Sequence, residues 1–560
     1  MTLHAVLALH THLPWVLGHG RWPHGSDWLC EAALETYLPL VEAFDALELE
    51  GTPTPVTMGI TPVLANMLAS PVFVSEFEAF LDQRIGAARE GREALAGTHD
   101  EALVPLARWW EARFLRLRAV WEKHDRDLAA AFRAFAQRGR IELITSAATH
   151  GFLPLLGRDE SIRLQLATGR QEFRRLFGLE PRGIWVPECA YRPRGPWRVP
   201  GVAEGPERRG LDEHLADFGF DFFFADAHMA RAGAPLGVYG EPSGGWPVHV
   251  VQQWTEGNWK QSPYIAYRVS SRHAARDVAA FVRDPRSSAQ VWSRHGGYPG
   301  SGAYLEFHKI RWPGGLRFWR VTGSDVDLGR KATYDPQVAM QTAVAHGRHF
   351  AQLLGDVAAR AAGETGDDTV VVAPFDTELF GHWWFEGPEF LTSACRALKG
   401  QRRVDLVTAS RHLAERPARH GLALAAGSWG KDGDWSMWAG PSVTWTWPPL
   451  WRLESEFWRL ARSAIATPAA QPVLAQAARS LLLAQSSDWQ FIISTGEVAD
   501  YGITRFRGHV EDTEALLRAL DHGLRTDEWG GAAQFAADLH VRDHLFPDVL
   551  DGVAVALGLA

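Results

Sequence analysis

Short apolar runs that end in polar residues recur along the first two thirds of the chain. Ala5–Leu9 ends at His10-Thr11-His12, Ile141–Ile144 leads through Thr145 and Ser146 to His150, and Gly183–Val186 leads to Pro187-Glu188. Phe220–Phe224 precedes Asp226, and Thr369–Val372 precedes Ala373-Pro374-Phe375-Asp376. Gln290–Trp292, ahead of the turn Gly296-Gly297-Tyr298-Pro299-Gly300, reads as one more strand. Between these runs lie long amphipathic stretches with helical spacing, including Glu101–Arg138, Ser161–Phe177 and Tyr334–Ala362. Buried strands alternating with helices predict an α/β fold with a parallel sheet. Polar residues collected at strand C-termini favour a (β/α) barrel, whose active site is built at that end.

The alternation breaks twice. A Pro-, Gly- and Arg-rich stretch around Arg192–Gly210 predicts a small inserted subdomain over residues 187–231. Beyond about residue 397 the strands are expected to stop, and 449–465, 470–485 and 509–523 read as helices. The expected organisation is therefore a barrel in two parts, residues 1–186 and 232–396, followed by a helical C-terminal domain over residues 397–560.

Composition narrows the function. A net charge of −9 over 560 residues disfavours nucleic acid as a partner, since a polyanion is met by a concentrated basic face. The N-terminus lacks a basic leader segment and carries His4, His10 and His12, so it reads as a strand and not as a signal peptide. No long uninterrupted apolar stretch predicts a membrane span. Three scattered cysteines are too few for a disulfide framework, and a reducing cytoplasm is the expected compartment. Tryptophan is the outlier at 25 residues, with Trp429, Trp435, Trp438, Trp445 and Trp447 clustered in a Gly- and Pro-rich segment. Flat aromatic faces suit sugar rings, although tryptophan also fills large cores.

Two carboxylates stand just past strand ends, Glu188 after a proline and Asp376 in Ala373-Pro-Phe-Asp-Thr-Glu-Leu-Phe-Gly-His-Trp-Trp384. Such a pair at a barrel mouth suits glycosidic chemistry, one attacking the anomeric carbon and the other handling the proton. A strand-end acid is also a common helix cap. His10 and His12 alternate on one strand and share a face; with His150 and an acid they could hold zinc, or they could bond sugar hydroxyls. Spacing leaves both readings open.

Four segments carry a resemblance: His10-Thr-His-Leu-Pro-Trp15, Glu142–Gly151, Ile184-Trp-Val-Pro-Glu-Cys-Ala-Tyr-Arg-Pro193 and Pro374–Gly387. They are similar, in order, to the signature regions of glycoside hydrolase family 57. Val291-Trp292 with Tyr298-Pro-Gly300, Gly427-Ser-Trp-Gly430 with Trp438, and Ser486-Ser-Asp-Trp489 resemble the 1,4-α-glucan branching enzymes within it. The resemblance implies a (β/α)7 barrel with a small inserted domain and a helical C-terminal domain. It also implies a retaining mechanism with Glu188 as nucleophile and Asp376 as acid/base, and no metal or cofactor. By matching position it implies glucan contacts from Arg283, Gly300, Trp429 and Asp488, with Trp292 and Trp438 in the cleft and His10, His12 and His150 around the reacting sugar.

The implied reaction cleaves an α-1,4 bond and passes the glucan to a 6-hydroxyl, with amylose, amylopectin or glycogen as donor and acceptor. Alternatives are an α-amylase or 4-α-glucanotransferase of the same family, a metal-dependent hydrolase or deacetylase using His10 and His12, and an inactive glucan-binding protein. A Gly-rich loop, Arg231–Pro242, carries Tyr239 at its tip, where the resembling enzymes have a tyrosine; Tyr239 is expected to cap the intermediate and guide the acceptor.

Overall fold

The computed structural model describes residues 2–197, 205–232, 261–271, 273–293, 296–323 and 325–559. Seven parallel strands form its centre: β1 (Leu3–Thr11), β2 (Val56–Ile60), β3 (Ile141–Ser146), β4 (Gly183–Trp185), β5 (Phe222–Ala225), β6 (Val278–Val282) and β7 (Val370–Asp376). They pair in sequence order from β1 to β6, and β7 lies on the free side of β1. At the seam between β6 and β7, Arg283 bridges Val372 in parallel and the Asp284 N–H donates to the Val372 carbonyl at 2.8 Å. This contact closes the sheet on itself. The strands are buried on both faces, as near-continuous apolar runs require; every residue of β2 and β6 is buried.

Two expected features differ. Gln290–Trp292 is not a strand but the end of the helix Pro285–Trp292, which begins where Asp284 accepts hydrogen bonds from the N–H groups of Arg286 and Ser287 and Pro285 supplies the first helical position. A three-residue apolar run carries too little periodicity to distinguish strand from helix end. Strands also continue past residue 397: Val404–Leu406 pairs with the start of β1, and His420–Gly421 pairs with Ala266–Val269, itself antiparallel to β6. β5 lies inside the 187–231 span. The departure from the barrel is the short antiparallel pair of Gly195–Pro196 with Glu207–Arg208.

The helices follow the predicted stretches closely. Glu101–Arg138 splits into Val104–Lys123 and Leu128–Gln137 at Asp125 and Arg126, both left-handed at φ 54° and 62°, with Asp127 capping the second helix. Asp159–Phe177 packs against the end of β3 so closely that a Cβ on Gly169 would sit 2.4 Å from the Ser146 carbonyl oxygen. In the C-terminal part, Gln471–Ala484 is buried all round from Val473 onward and forms the centre of a helical cluster with Trp447–Ile465, Ala499–Thr526 and Gly530–Arg542. It ends beside the barrel, where Ser486 bridges Gly151 and the Ser487 N–H donates to the His150 carbonyl at 3.1 Å. No single helix among the described residues is long and apolar enough to cross a membrane.

Candidate active site

Six barrel strands deliver polar side chains to their C-terminal ends, and the C-terminal part delivers more. His10 and Asp376 are register partners on β1 and β7, which puts them side by side. His150 follows β3, Glu188 follows β4, and Asp226 and Arg283 follow β5 and β6.

Glu188 sits in a left-handed conformation (φ 60°, ψ 20°), followed by Cys189 at φ 48°; His150 has φ 57°. Each such non-glycine residue costs about 1–2 kcal/mol, so surrounding bonds must hold the turn. The Trp429 backbone N–H donates to the Glu188 carbonyl at 3.0 Å, and its indole N–H donates to Glu188 Oε2 at 2.8 Å. The Ser487 hydroxyl donates to Oε1 at 2.9 Å. One carboxylate is thereby fixed by two side chains that lie more than 240 residues downstream.

Behind Ser487 runs a directed chain. His150 Nδ1 lies 2.9 Å from Ser487 Oγ, and His150 Nε2 lies 2.9 Å from His10 Nε2. Ser487 spends its proton on Glu188, so it accepts from His150 Nδ1–H; His150 Nε2 then accepts from His10 Nε2–H. His10 Nδ1 is left as a buried lone pair without a partner, as this assignment requires. Burial holds both His10 and His150 well below the ordinary imidazole range, which keeps them neutral. His10 stacks on Trp185 at 4.6 Å.

His12 bonds Thr61 Oγ1 through Nδ1 and Asp488 Oδ2 through Nε2, each at 2.9 Å. His12, His150 and Asp488 lie close enough together to suggest a metal triad. Every nitrogen of the two imidazoles is already engaged by a protein group, and a cation would have to displace those bonds.

The electrostatics raise both carboxylates. Burial raises Glu188 to about 7, with the charge of Asp376 adding and the bonds from Trp429 and Ser487 opposing. Asp376 is pushed well above the ordinary carboxyl range by burial and by neighbouring Glu378, against Arg283. Glu378, itself raised to about 7 by burial, accepts from the Tyr37 hydroxyl at 2.6 Å and from the His12 N–H at 3.1 Å. Burial works against ionisation of Asp488, yet His12 and His150 outweigh it and hold the carboxyl low. Burial thus raises the proton affinity of both Glu188 and Asp376, while Asp488 beside them stays low.

The other expected residues fall into three groups. Arg283 is buried, bonds Ser288 through Nε at 3.0 Å and Asp226 through Nη1 at 3.3 Å and stacks over Trp429, so two of its nitrogens are held by the protein and its charge acts on the carboxylates. Trp292 and Gly300 make no hydrogen bond to the Glu188 group among the described residues; Trp292 ends its helix half-buried and Gly300 closes the turn Tyr298–Gly300. Trp438, expected as an open face in the cleft, is instead only 1% exposed and stacked on Phe152 at 4.9 Å. It packs the core because the segment around it folds inward onto the loop after β3. Tyr239 lies outside the described residues. Sequence reasoning did not single out Ser487, Glu378, Trp185 or Tyr37; Ser487 and Glu378 stand within two residues of Asp488 and Asp376, and only their partners reveal their part.

A parallel barrel whose mouth holds two buried carboxylates with raised proton affinities, walled by tryptophan and histidine, defines an enzyme of glycosidic bonds. Residues 6–424 match the model of glycosyl hydrolase family 57, and residues 450–551 match that of the 1,4-alpha-glucan branching enzyme C-terminal region. A 1,4-alpha-glucan branching enzyme of Thermococcus kodakarensis is 37% identical over 98% of this chain and 78% of its own. The crystal structure of a family 57 branching enzyme from that organism, in complex with glucose, superposes with a TM-score of 0.89 at 36% identity, covering 99% of this chain and 96% of the other. An alpha-amylase from Thermotoga maritima superposes with a TM-score of 0.80 at 28% identity, covering 99% of both chains. The chain belongs to glycoside hydrolase family 57.

Proposed function

We propose that this protein is a 1,4-α-glucan branching enzyme acting by retention, with Glu188 as nucleophile and Asp376 as acid/base. The carboxylate of Glu188 attacks the anomeric carbon of an internal α-1,4 bond while Asp376 gives its proton to the leaving 4-oxygen. The glucan then rests as an ester on Glu188. Asp376, now ionised, takes the proton of an incoming 6-hydroxyl, whose oxygen displaces Glu188 and forms the α-1,6 link. The acceptor must be favoured over water by positioning. His150, through Ser487, keeps the Glu188 carboxylate oriented in both steps.

The observation that carries branching over hydrolysis is that the region matching the branching-enzyme C-terminal model supplies Ser487 to Glu188 itself and Asp488 to the neighbouring His12. The likeness to an amylase leaves the family's hydrolytic alternative as the second reading. Amylose, amylopectin or glycogen serve as donor and acceptor. Three free, buried cysteines support a reducing cytoplasmic setting. The test is incubation with amylose, followed by α-1,6-specific debranching and chain-length analysis. New short chains released only after debranching support the reading; reducing ends that accumulate without branches refute it.

A further inference from the structure

A cavity that none of the groups around Glu188 lines lies beside the turn Arg311–Leu316. Water can occupy about 60 Å³ of it, which at 10–15 Å³ per site seats roughly four to six waters, on the order of the volume of one glucosyl residue. Phe80, Trp110 and Phe114 supply aromatic walls. The turn is pinned by Arg84, which donates to the carbonyls of Gly314 and Gly315 at 3.2 and 3.0 Å, and by the Trp110 indole N–H, which donates to the Arg317 carbonyl at 2.8 Å. At the cavity rim this fixed turn holds Trp312 out, 68% exposed.

The charged lining is incompletely paired. Arg317 meets Glu35 at 3.1 Å, and Glu35 in turn meets His382 at 2.7 Å. Arg113 is more than nine-tenths buried, stacks on Phe385 at 4.5 Å, and has no hydrogen-bond or ion-pair partner among the described residues. Glu31, on the same cavity, has none either, and the two do not meet each other. The Arg113 guanidinium opens on the cavity without a protein acceptor, so its donors are free to meet a ligand there. An anion would meet Glu31 and Glu35. A neighbouring pair of sugar hydroxyls, each both donor and acceptor, satisfies the cation and the carboxylate together.

We propose that this cavity is an accessory glucan-binding site. One glucosyl residue sets its hydroxyls between Arg113 and Glu31, and the adjoining one stacks on Trp312. The inference rests on the α-glucan reading above and adds a second point of attachment, which raises the local concentration of long chains.

The test uses the full-length enzyme and the variants Trp312→Ala and Glu31→Ala, with retardation by glycogen in native gels and kinetics on long amylose against a short maltooligosaccharide. Loss of the stacking face is expected to weaken glycogen retention by ~3–10-fold and raise KM for amylose by a similar factor. The kcat and the kinetics on the short donor stay as in the wild type. Unchanged retention in both variants, while the wild type still branches amylose, overturns the accessory site and leaves the proposed function standing; a wild type that never branches removes the latter. A crystal soak that places maltotriose at Arg113 supports the proposal, and one that places only inorganic phosphate there overturns it.

Discussion

Replacing Trp429 by phenylalanine separates the tuning of Glu188 from its presence. The ring over which Arg283 stacks is kept, as is the backbone N–H that holds the Glu188 turn, but the indole N–H donating to Oε2 at 2.8 Å is lost. A hydrogen bond to a charged group contributes about 1.5–3 kcal/mol, and 1.36 kcal/mol corresponds to one pH unit of proton affinity. Glu188 stands at about 7 with the bond in place. Removing a bond that favours the ionised form moves the acid limb of the kcat/KM profile up by about one to two pH units. At pH 7 the ionised fraction falls from about half to about 1–10%, and activity falls with it by about five- to fiftyfold. Raising the pH restores the ionised form of Glu188, so the deficit of the variant shrinks as the pH is raised. The assay is initial rate at limiting amylose across pH. An acid limb that stays where it was, or a loss equal at every pH, refutes the claim that Trp429 sets the ionisation of Glu188.

Glu188→Gln should lower turnover by at least ~10⁴-fold with the melting temperature unchanged or raised, since an amide spares the burial of a carboxylate; retention of a few per cent of activity removes Glu188 from the nucleophile's role. Trp438→Ala should cost about 3–5 kcal/mol of stability, as expected for a large buried aromatic, and an unaltered melt combined with weak glucan binding would restore it as an open sugar platform. Glu454, raised to about 7 by burial, contributes stability that is intact below its ordinary value of 4.5 and lost as the pH rises through 7. Unfolding measured from about pH 4.5 to about pH 8 should therefore shift in favour of Glu454→Gln over the wild type by about 3 kcal/mol, and a flat difference rejects a buried ionisable carboxyl there.

Long periodic segments were legible in the sequence, and so were acids placed after strands. The helix Pro336–Thr365 lies within a few residues of its amphipathic stretch, and Glu188 and Asp376 stand where their strands release them. Short apolar runs were not legible alone: Val56–Ile60 ends only in Thr61 and Val278–Val282 went unread although Arg283 and Asp284 follow it, whereas Gln290–Trp292 looked like a strand and is helical. The fixing of Glu188 was hidden for a different reason. Ser487 and Trp429 owe their part to contacts across 299 and 241 positions of chain, which no local spacing encodes. Exposure was equally hidden, because Trp429 and Trp438 stand in similar sequence surroundings, yet the first bonds a carboxylate and the second fills a core.

The reach of the site along the chain, from His10 to Asp488, also fixes when the enzyme can first work. At about 5–20 residues per second, a ribosome needs roughly half a minute to a minute and a half to travel from His10 to Asp488. Through that interval the barrel strands and Glu188 have long been made, but Ser487 has not. A nascent barrel folding on its own carries Glu188 with neither of its anchoring donors, Trp429 and Ser487. The geometry of the site is therefore complete only once the C-terminal helices have been made.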